Sequence, residues 1–161
     1  MSVKFSGYEI GEMAIQIERN GKTFYEELEK AANDNDLRTF FRYLADQEDV
    51  HIEKFKQLRD SLAKDGYTAP YDWDEARDYL SALVSKEVFS NQNLGAKIAK
   101  NATSEALAFD AAIGLEKDSL LFYQEMRRFV NKQDHQLLDA IAEEERKHIK
   151  IINEKRKERG V

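Results

Sequence analysis

Two short segments of this chain combine a carboxylate and an imidazole at the spacing of one helical turn. They run from Glu48 to His51 and from Glu145 to His148. On a helix, residues three apart lie on the same face, so each Glu-x-x-His pair presents both side chains to the same point. Such a pair can hold a divalent metal ion or form an ion pair. A single pair is weak evidence, and its sequence context decides what it indicates.

Both pairs lie within stripes of apolar residues that are typical of helices packed in a bundle. Apolar residues recur at alternating steps of three and four on both sides of each pair. The first stripe contains Leu37, Phe41, Leu44, Phe55, Leu58 and Leu62, and the second contains Leu138, Ile141 and Ile152. A charged side chain at such a position faces the core, where it is strongly unfavourable unless it is paired or bound to a metal.

Each pair is preceded by another predicted helix whose apolar stripe contains one glutamate. In the first of these helices, Glu18 is followed seven residues later by Tyr25. In the second, Glu116 is followed seven residues later by Tyr123. The sequence therefore predicts four helices that bring four glutamates and two histidines into one core. The predicted metal ligands are Glu18, Glu48, His51, Glu116, Glu145 and His148.

The two halves of the sequence match each other around these polar residues. Ile17, Glu18, Phe24 and Tyr25 align with Leu115, Glu116, Phe122 and Tyr123, and Leu44, Glu48 and His51 align with Ile141, Glu145 and His148. A polar set that recurs in register with its apolar neighbours is difficult to produce by chance. We interpret the pattern as internal duplication of a helical hairpin.

The sequence predicts an all-α protein in which two antiparallel hairpins form a four-helix bundle. The hairpins are expected at residues 8–65 and 103–158, with Asp36 as the N-cap of the second helix and Gly66 at its C-terminal end. The crossover 66–102 is longer than a direct connection requires and is expected to carry short helices. It can return along the bundle, so that the second and third long helices run parallel.

Composition limits the classes of function. A length of 161 residues is usual for one domain, and we expect a single domain over 1–161. The net charge of −6 argues against a general nucleic-acid binder. No apolar stretch approaches the ~20 residues of a membrane span, and residues 1–10 lack the apolar core of a signal peptide. The absence of Cys excludes disulfides, zinc–thiolate sites and iron–sulfur clusters. We expect a cytoplasmic protein that contacts neither nucleic acid nor membrane.

The predicted core glutamates suit two divalent metal ions, because four carboxylates balance the charge of two such ions. One Glu from each of two helices, with Glu-x-x-His from each of two others, is the ligand pattern of carboxylate-bridged di-metal bundles. Oxygen and imidazole ligands without thiolate suit Fe or Mn and do not exclude Zn or Co. The alternative interpretation is a bundle with buried salt bridges and no metal.

Tyr25 and Tyr123 lie on the same helix faces as the glutamates that precede them. Each hydroxyl is a candidate to hydrogen-bond a ligand carboxylate or to act as a redox-active phenol. The alternative is an ordinary core tyrosine with a satisfied hydroxyl.

This sequence resembles rubrerythrin and its ferritin-like di-iron relatives. The resemblance covers both hairpins and is carried by Glu18, Phe24-Tyr25, Glu48-x-x-His51, Glu116, Phe122-Tyr123 and Glu145-x-x-His148. It implies a ferritin-like four-helix bundle, a site for two iron ions, and reduction of hydrogen peroxide or dioxygen. Oxidation of Fe(II) is an alternative reaction. Iron storage or buffering, and a metal-binding bundle without turnover, are alternative functions.

Two features depart from the rubrerythrin pattern. Rubrerythrins carry a further ligand glutamate one turn after the lone glutamate of the third helix, and this chain has Ser119 at that position. Rubrerythrins also end in a Cys-rich rubredoxin domain, which these 161 residues do not include. We therefore expect an external electron-donor protein or a small reductant as partner and a small oxidant as substrate. We also expect a homodimer.

Overall fold

Four long helices dominate the computed structural model, which describes residues 4–64, 68–84 and 87–161, with the side chains of 4–6 and 68–73 left undescribed. The helices are α1 (Gly7–Ala31), α2 (Asn35–Lys64), α3 (Trp73–Ala82), α4 (Leu94–Asn101), α5 (Glu105–Met126) and α6 (His135–Arg159). Short 3-10 turns at Arg127–Phe129 and Lys132–Asp134 join α5 to α6. The long helices α1, α2, α5 and α6 pair as two hairpins, and α3 and α4 belong to the crossover. The predicted all-α bundle is confirmed.

The directions of the helices follow from contacts in the middle of the bundle. Only a short turn separates α1 from α2, and these helices are antiparallel. Tyr25 on α1 hydrogen-bonds to Glu116 on α5, whereas Tyr123 on α5 hydrogen-bonds to Glu18 on α1. These crossed contacts require α1 and α5 to be antiparallel as well. Consequently α2 and α5 run in the same direction, as the long crossover predicts.

The start of α2 corrects one prediction. Its first turn is capped by Asp34, whose Oδ1 accepts a hydrogen bond from the backbone N–H of Leu37 at 2.9 Å. The expected cap, Asp36, lies inside the first turn and forms an ion pair with Lys155 Nζ at 3.1 Å. The helix begins earlier than predicted because Asp34 already satisfies its first free N–H groups. The expected C-terminal residue Gly66 lies outside the described residues.

A short two-stranded ribbon is a feature that the sequence did not predict. β1 (Lys4–Ser6) pairs antiparallel with β2 (Thr68–Asp72), with Lys4 opposite Asp72 and Ser6 opposite Thr68. β1 leads directly into α1, and β2 follows soon after α2. Because α1 and α2 are antiparallel, the two extended segments meet at the same end of the bundle, where their backbone polar groups pair.

Two apolar clusters lie at opposite ends of the long helices, with a polar layer between them. One cluster includes Ile10, Ile15, Phe55, Leu62, Phe122 and Ile141. The other includes Phe24, Leu28, Phe41, Leu44, Phe109 and Ile152. Each large apolar side chain contributes roughly 1.5–3 kcal/mol when fully buried, so the clusters offset the cost of burying polar groups between them.

The crossover lies against this bundle through apolar residues. Leu80, Val84, Val88 and Leu94 are buried, and α4 packs along α1. The predicted short helices of the crossover are thus present as α3 and α4. Among the helices in the described part of the chain, none is both long and apolar enough to cross a membrane.

Candidate metal centre

The polar layer contains all of the glutamates and histidines that the sequence predicts as metal ligands. α1 and α5 each contribute one glutamate, while α2 and α6 each contribute a glutamate and, one turn later, a histidine. No residue of this set is more than 4% exposed: Glu18, Glu48, His51, Glu116, Glu145 and His148. The helical repeat therefore brings these distant residues to one place.

These side chains form two groups of potential ligand atoms. Within each group the atoms lie within 4.8 Å of one another. The first group consists of Glu48, Glu116, Glu145 and His148, and the second of Glu18, His51 and Glu145. Because Glu145 belongs to both groups, its carboxylate lies between two positions that could each hold a cation.

Both histidines direct Nδ1 at these carboxylates. His51 Nδ1 lies 3.3 Å from Glu18 Oε2 and 3.1 Å from Glu145 Oε1. His148 Nδ1 lies 3.1 Å from Glu145 Oε2 and 3.5 Å from Glu116 Oε2. The two imidazole rings are stacked, with centroids 5.7 Å apart. The histidine of each half thus faces a different oxygen of the Glu145 carboxylate.

Tyr25 and Tyr123 donate hydrogen bonds across the bundle to the lone glutamates. Tyr25 Oη donates to Glu116 Oε1 at 2.5 Å, and Tyr123 Oη donates to Glu18 Oε1. Each tyrosine therefore contacts the glutamate of the other half of the chain. Burial, reinforced by these carboxylates, raises the pKa of both phenols well above the usual value of 10. Both hydroxyls consequently remain protonated hydrogen-bond donors.

Burial and mutual repulsion favour protonation of two of the carboxylates. Burial, followed by the charge of Glu18, raises the pKa of Glu48 well above the usual value of 4.5. Burial and the nearby Glu145 raise the pKa of Glu116 to about 8. Burial also opposes charge on Glu145, but the neighbouring imidazoles of His148 and His51 outweigh it and lower the pKa. In the metal-free protein, the pKa values of the equivalent residues Glu48 and Glu145 are therefore shifted in opposite directions.

The carboxylates keep both histidines charged. Burial lowers the pKa of His51, but Glu18 and Glu145 outweigh burial and raise it to about 11. Burial likewise opposes charge on His148, whereas Glu116 and Glu145 raise its pKa to about 9. In the metal-free protein, protons on the imidazoles thus supply the positive charge that a bound cation would otherwise supply.

The donor set fits hard divalent cations. Glu145 Oε1 is buried and makes no hydrogen bond to any described residue, since the nearby His51 Nδ1 at 3.1 Å is not aligned to donate. A buried carboxylate oxygen without a hydrogen bond is costly unless it binds a cation. Oxygen and imidazole donors without thiolate suit Fe or Mn, and Zn is compatible. The residues present therefore fit a pair of such ions.

Glu144 is a contact of this site that the sequence did not reveal. Glu144 Oε2 lies 2.7 Å from His51 Nε2, and Glu144 Oε1 lies 3.1 Å from Lys54 Nζ. Since Nδ1 of His51 faces Glu18 and Glu145, Glu144 holds the ring from its opposite side. Glu144 stands one residue before Glu145, at the edge of the apolar stripe, where periodicity does not identify a partner on another helix.

Comparison with known proteins agrees with this geometry. A family model described as rubrerythrin matches residues 9–111. The chain belongs to the rubrerythrin family. The matched range includes Glu18, Glu48 and His51, so the first hairpin and the crossover carry the assignment. The remaining candidate ligands of this rubrerythrin-family bundle lie beyond the matched range, and their assignment depends on the internal repeat and on the geometry above.

One relative of this rubrerythrin-family chain is a protein of Archaeoglobus fulgidus named only as uncharacterized. It is 37% identical over 46 residues, which cover 29% of this chain and 73% of the relative. No solved structure matches the chain. The argument for function therefore rests on the family and on the site.

Proposed function

We propose that this protein is a di-iron carboxylate oxidoreductase that reduces hydrogen peroxide or dioxygen. The observation that supports this function is the pair of buried ligand groups that share Glu145. Each group combines carboxylates with one imidazole, which is a donor set suited to iron. An external donor protein or a small reductant would supply the electrons.

In this proposal the glutamates and histidines have distinct positions. His51 and His148 bind on opposite sides of Glu145, and Glu18 and Glu116 each complete one side. Glu48 belongs to the first group, and the charge of Glu18 in the second group acts on it, so Glu48 would be suited, like Glu145, to hold both ions. When bound, two iron ions would supply the two electrons that convert one H₂O₂ and two protons into two water molecules.

Tyr25 and Tyr123 orient the non-bridging glutamates in this proposal. Their hydroxyls donate to Glu116 and Glu18, which leaves the other oxygen of each carboxylate directed at the site. Tyr25 and Tyr123 are thus proposed as positioning residues. The surrounding apolar clusters exclude bulk water, so the electrostatic interactions within the site are strengthened.

Anaerobic loading with Fe(II), followed by rapid mixing with hydrogen peroxide or with dioxygen, tests the proposed function. We expect rapid oxidation of the bound iron, with two Fe(II) oxidised per H₂O₂ consumed. The controls are protein loaded with redox-inactive Zn(II) and free Fe(II) in the same buffer. If bound Fe(II) were oxidised by both reagents no faster than free Fe(II), the proposed function would be wrong.

Native mass spectrometry separates the oxidoreductase from an iron store. A store requires a hollow assembly of many chains, whereas we propose a homodimer. A mass corresponding to two chains agrees with the proposed oxidoreductase. A large closed assembly that accumulates far more than two irons per chain would favour storage instead.

A further inference from the structure

A small cavity lies between α1 and α5, directly against the candidate metal centre. Its volume is about 30 Å³, which is room for roughly one or two water-sized molecules. Glu48 and Glu116 form its inner wall. Gly21 of α1 and Ser119 of α5 occupy equivalent positions of the two repeats, and both line it. The cavity therefore lies where the two halves of the duplication face each other.

The small side chains at these equivalent positions keep the cavity open. A Cβ atom at position 21 would lie 2.9 Å from Glu48 Oε2, so any larger residue would push against that carboxylate. Ser119 is buried, and its side chain is short. The cavity beside the carboxylates consequently exists because the side chains at positions 21 and 119 are both small.

The crossover forms an apolar roof over this cavity. Val84, Val88 and Leu94 line its outer side, and all three residues are buried. Asn20 Nδ2 donates a buried hydrogen bond to the carbonyl oxygen of Val88 at 3.2 Å. Gly95 packs so tightly that a Cβ atom there would lie 2.1 Å from the carbonyl oxygen of Asn20. Two separate contacts thus seat the roof on α1.

We propose that this cavity is the binding pocket for the oxidant, and that the crossover roof restricts the oxidant to small neutral molecules. This inference rests on the proposed function. Carboxylates on the inner wall disfavour anions, while the apolar roof accepts an uncharged molecule such as O₂ or H₂O₂. An organic hydroperoxide with a tertiary alkyl group is much larger than the cavity. The crossover therefore selects the class of oxidant as well as connecting the hairpins.

The first test uses metal-free protein and does not depend on redox activity. Dissolved O₂ under pressure is paramagnetic and shortens the NMR relaxation times of methyl groups that it contacts. We expect stronger relaxation enhancement at the methyl groups of Val84 and Val88, which are 7% and 6% exposed, than at those of Val130 and Ala45, which are similarly buried at 5% and 4% and do not line this cavity. Equal enhancement at all four residues would overturn the pocket assignment.

The second test compares H₂O₂ with tert-butyl hydroperoxide as oxidants of the Fe(II)-loaded protein. The wild-type protein should react much faster with H₂O₂. Val88→Ala and Val84→Ala should each reduce the ratio of the two rates by about tenfold or more, because an alkyl group removed from a restrictive pocket changes specificity by such factors. Leu107→Ala, at an exposed position of α5, is the control that should leave the ratio unchanged.

The outcomes separate the inference from the proposed function. Similar rates for both hydroperoxides in the wild-type protein, or an unchanged ratio in both folded valine variants, would overturn the size restriction. If neither hydroperoxide nor O₂ oxidised any loaded protein, the proposed function would be contradicted. In that case the O₂ relaxation measurement on metal-free protein would still decide whether the pocket admits small oxidants.

Discussion

The α1–α2 and α5–α6 hairpins carry the same ligand pattern in different surroundings. The ligand positions of the first hairpin each have an equivalent in the second. Around them the equivalence ends, because Asn20 is buried and bonded to the crossover, whereas its equivalent Asp118 is half-buried and burial raises its pKa. The sequence repeat thus keeps the register of the candidate metal ligands, while the crossover packs mainly along α1 and makes fewer contacts with α5.

Equivalent candidate ligands also have pKa values that are shifted in opposite directions in the metal-free protein. Glu145 accepts contacts from both histidines and has a lowered pKa, whereas its equivalent Glu48 faces other carboxylates and has a raised one. His51 has Glu144 behind its ring, and the position equivalent to Glu144 on α2 is occupied by Gln47. A repeat in sequence therefore does not imply a repeat in ionisation.

The largest expected effect is the loss of metal from ligand variants of either hairpin. Glu48→Ala and His148→Ala should each weaken metal binding by more than about 100-fold, because residues that merely support a ligand already account for 10- to 100-fold. Metal analysis and circular dichroism should show lost metal with helices retained. Glu143→Ala, at an exposed position of α6, is the matched control. Unchanged metal content in both ligand variants would refute the ligand assignment.

The second prediction separates the two bridging candidates in the metal-free protein. At pH 7, Glu145→Gln should lower the free energy of unfolding by about 3 kcal/mol, because it removes a buried counter-charge from both histidines. Glu48→Gln should change it by less than about 1 kcal/mol, because the raised pKa of Glu48 favours the neutral carboxyl, and an amide of similar shape replaces that form. Chemical denaturation of both variants measures the difference. Equal destabilisation would contradict the opposite pKa shifts of the two glutamates.

The third prediction concerns the crossed tyrosine contacts, where the hairpins are alike. Tyr25→Phe and Tyr123→Phe should each lower the unfolding free energy of the metal-loaded protein by about 1.5 kcal/mol, as expected for a hydrogen bond to a charged carboxylate. Denaturation of the two variants side by side tests the equality. A loss in only one variant would mean that the two lone glutamates are not held in the same way.

The smallest effect is expected for Glu144, which contacts the His51 ring on the side that faces away from the candidate metal centre. Glu144→Gln should weaken metal binding about tenfold, because it removes the negative charge that supports His51 from its distal side. Gln47→Ala, at the equivalent position on α2, should have a smaller effect. Competition with a metal-binding dye measures both affinities. Equal losses from the two variants would remove the proposed asymmetry between the histidines.

Some of these features could be read from the sequence and others could not. The meeting of the six glutamates and histidines in one layer was predictable, because polar residues at seam positions stand out within an apolar stripe and recur in both halves. The crossed hydrogen bonds of Tyr25 and Tyr123 could not be predicted. Periodicity identifies the face of a helix that packs, but not how far neighbouring helices are shifted along their axes relative to each other. The Asp34 cap was missed because several capping residues compete in that turn. The β1–β2 ribbon depends on which segments the folded bundle brings together.

Titration of the metal-free protein with Fe(II) under anaerobic conditions tests the central claim most directly. The shared carboxylate of Glu145 and the ligand groups on either side of it predict saturation at two ions per chain. The Glu48→Ala variant, with one bridging candidate removed, should not reach this value. Saturation of the wild-type protein at one ion per chain, or binding no stronger than that of the variant, would contradict a two-metal centre.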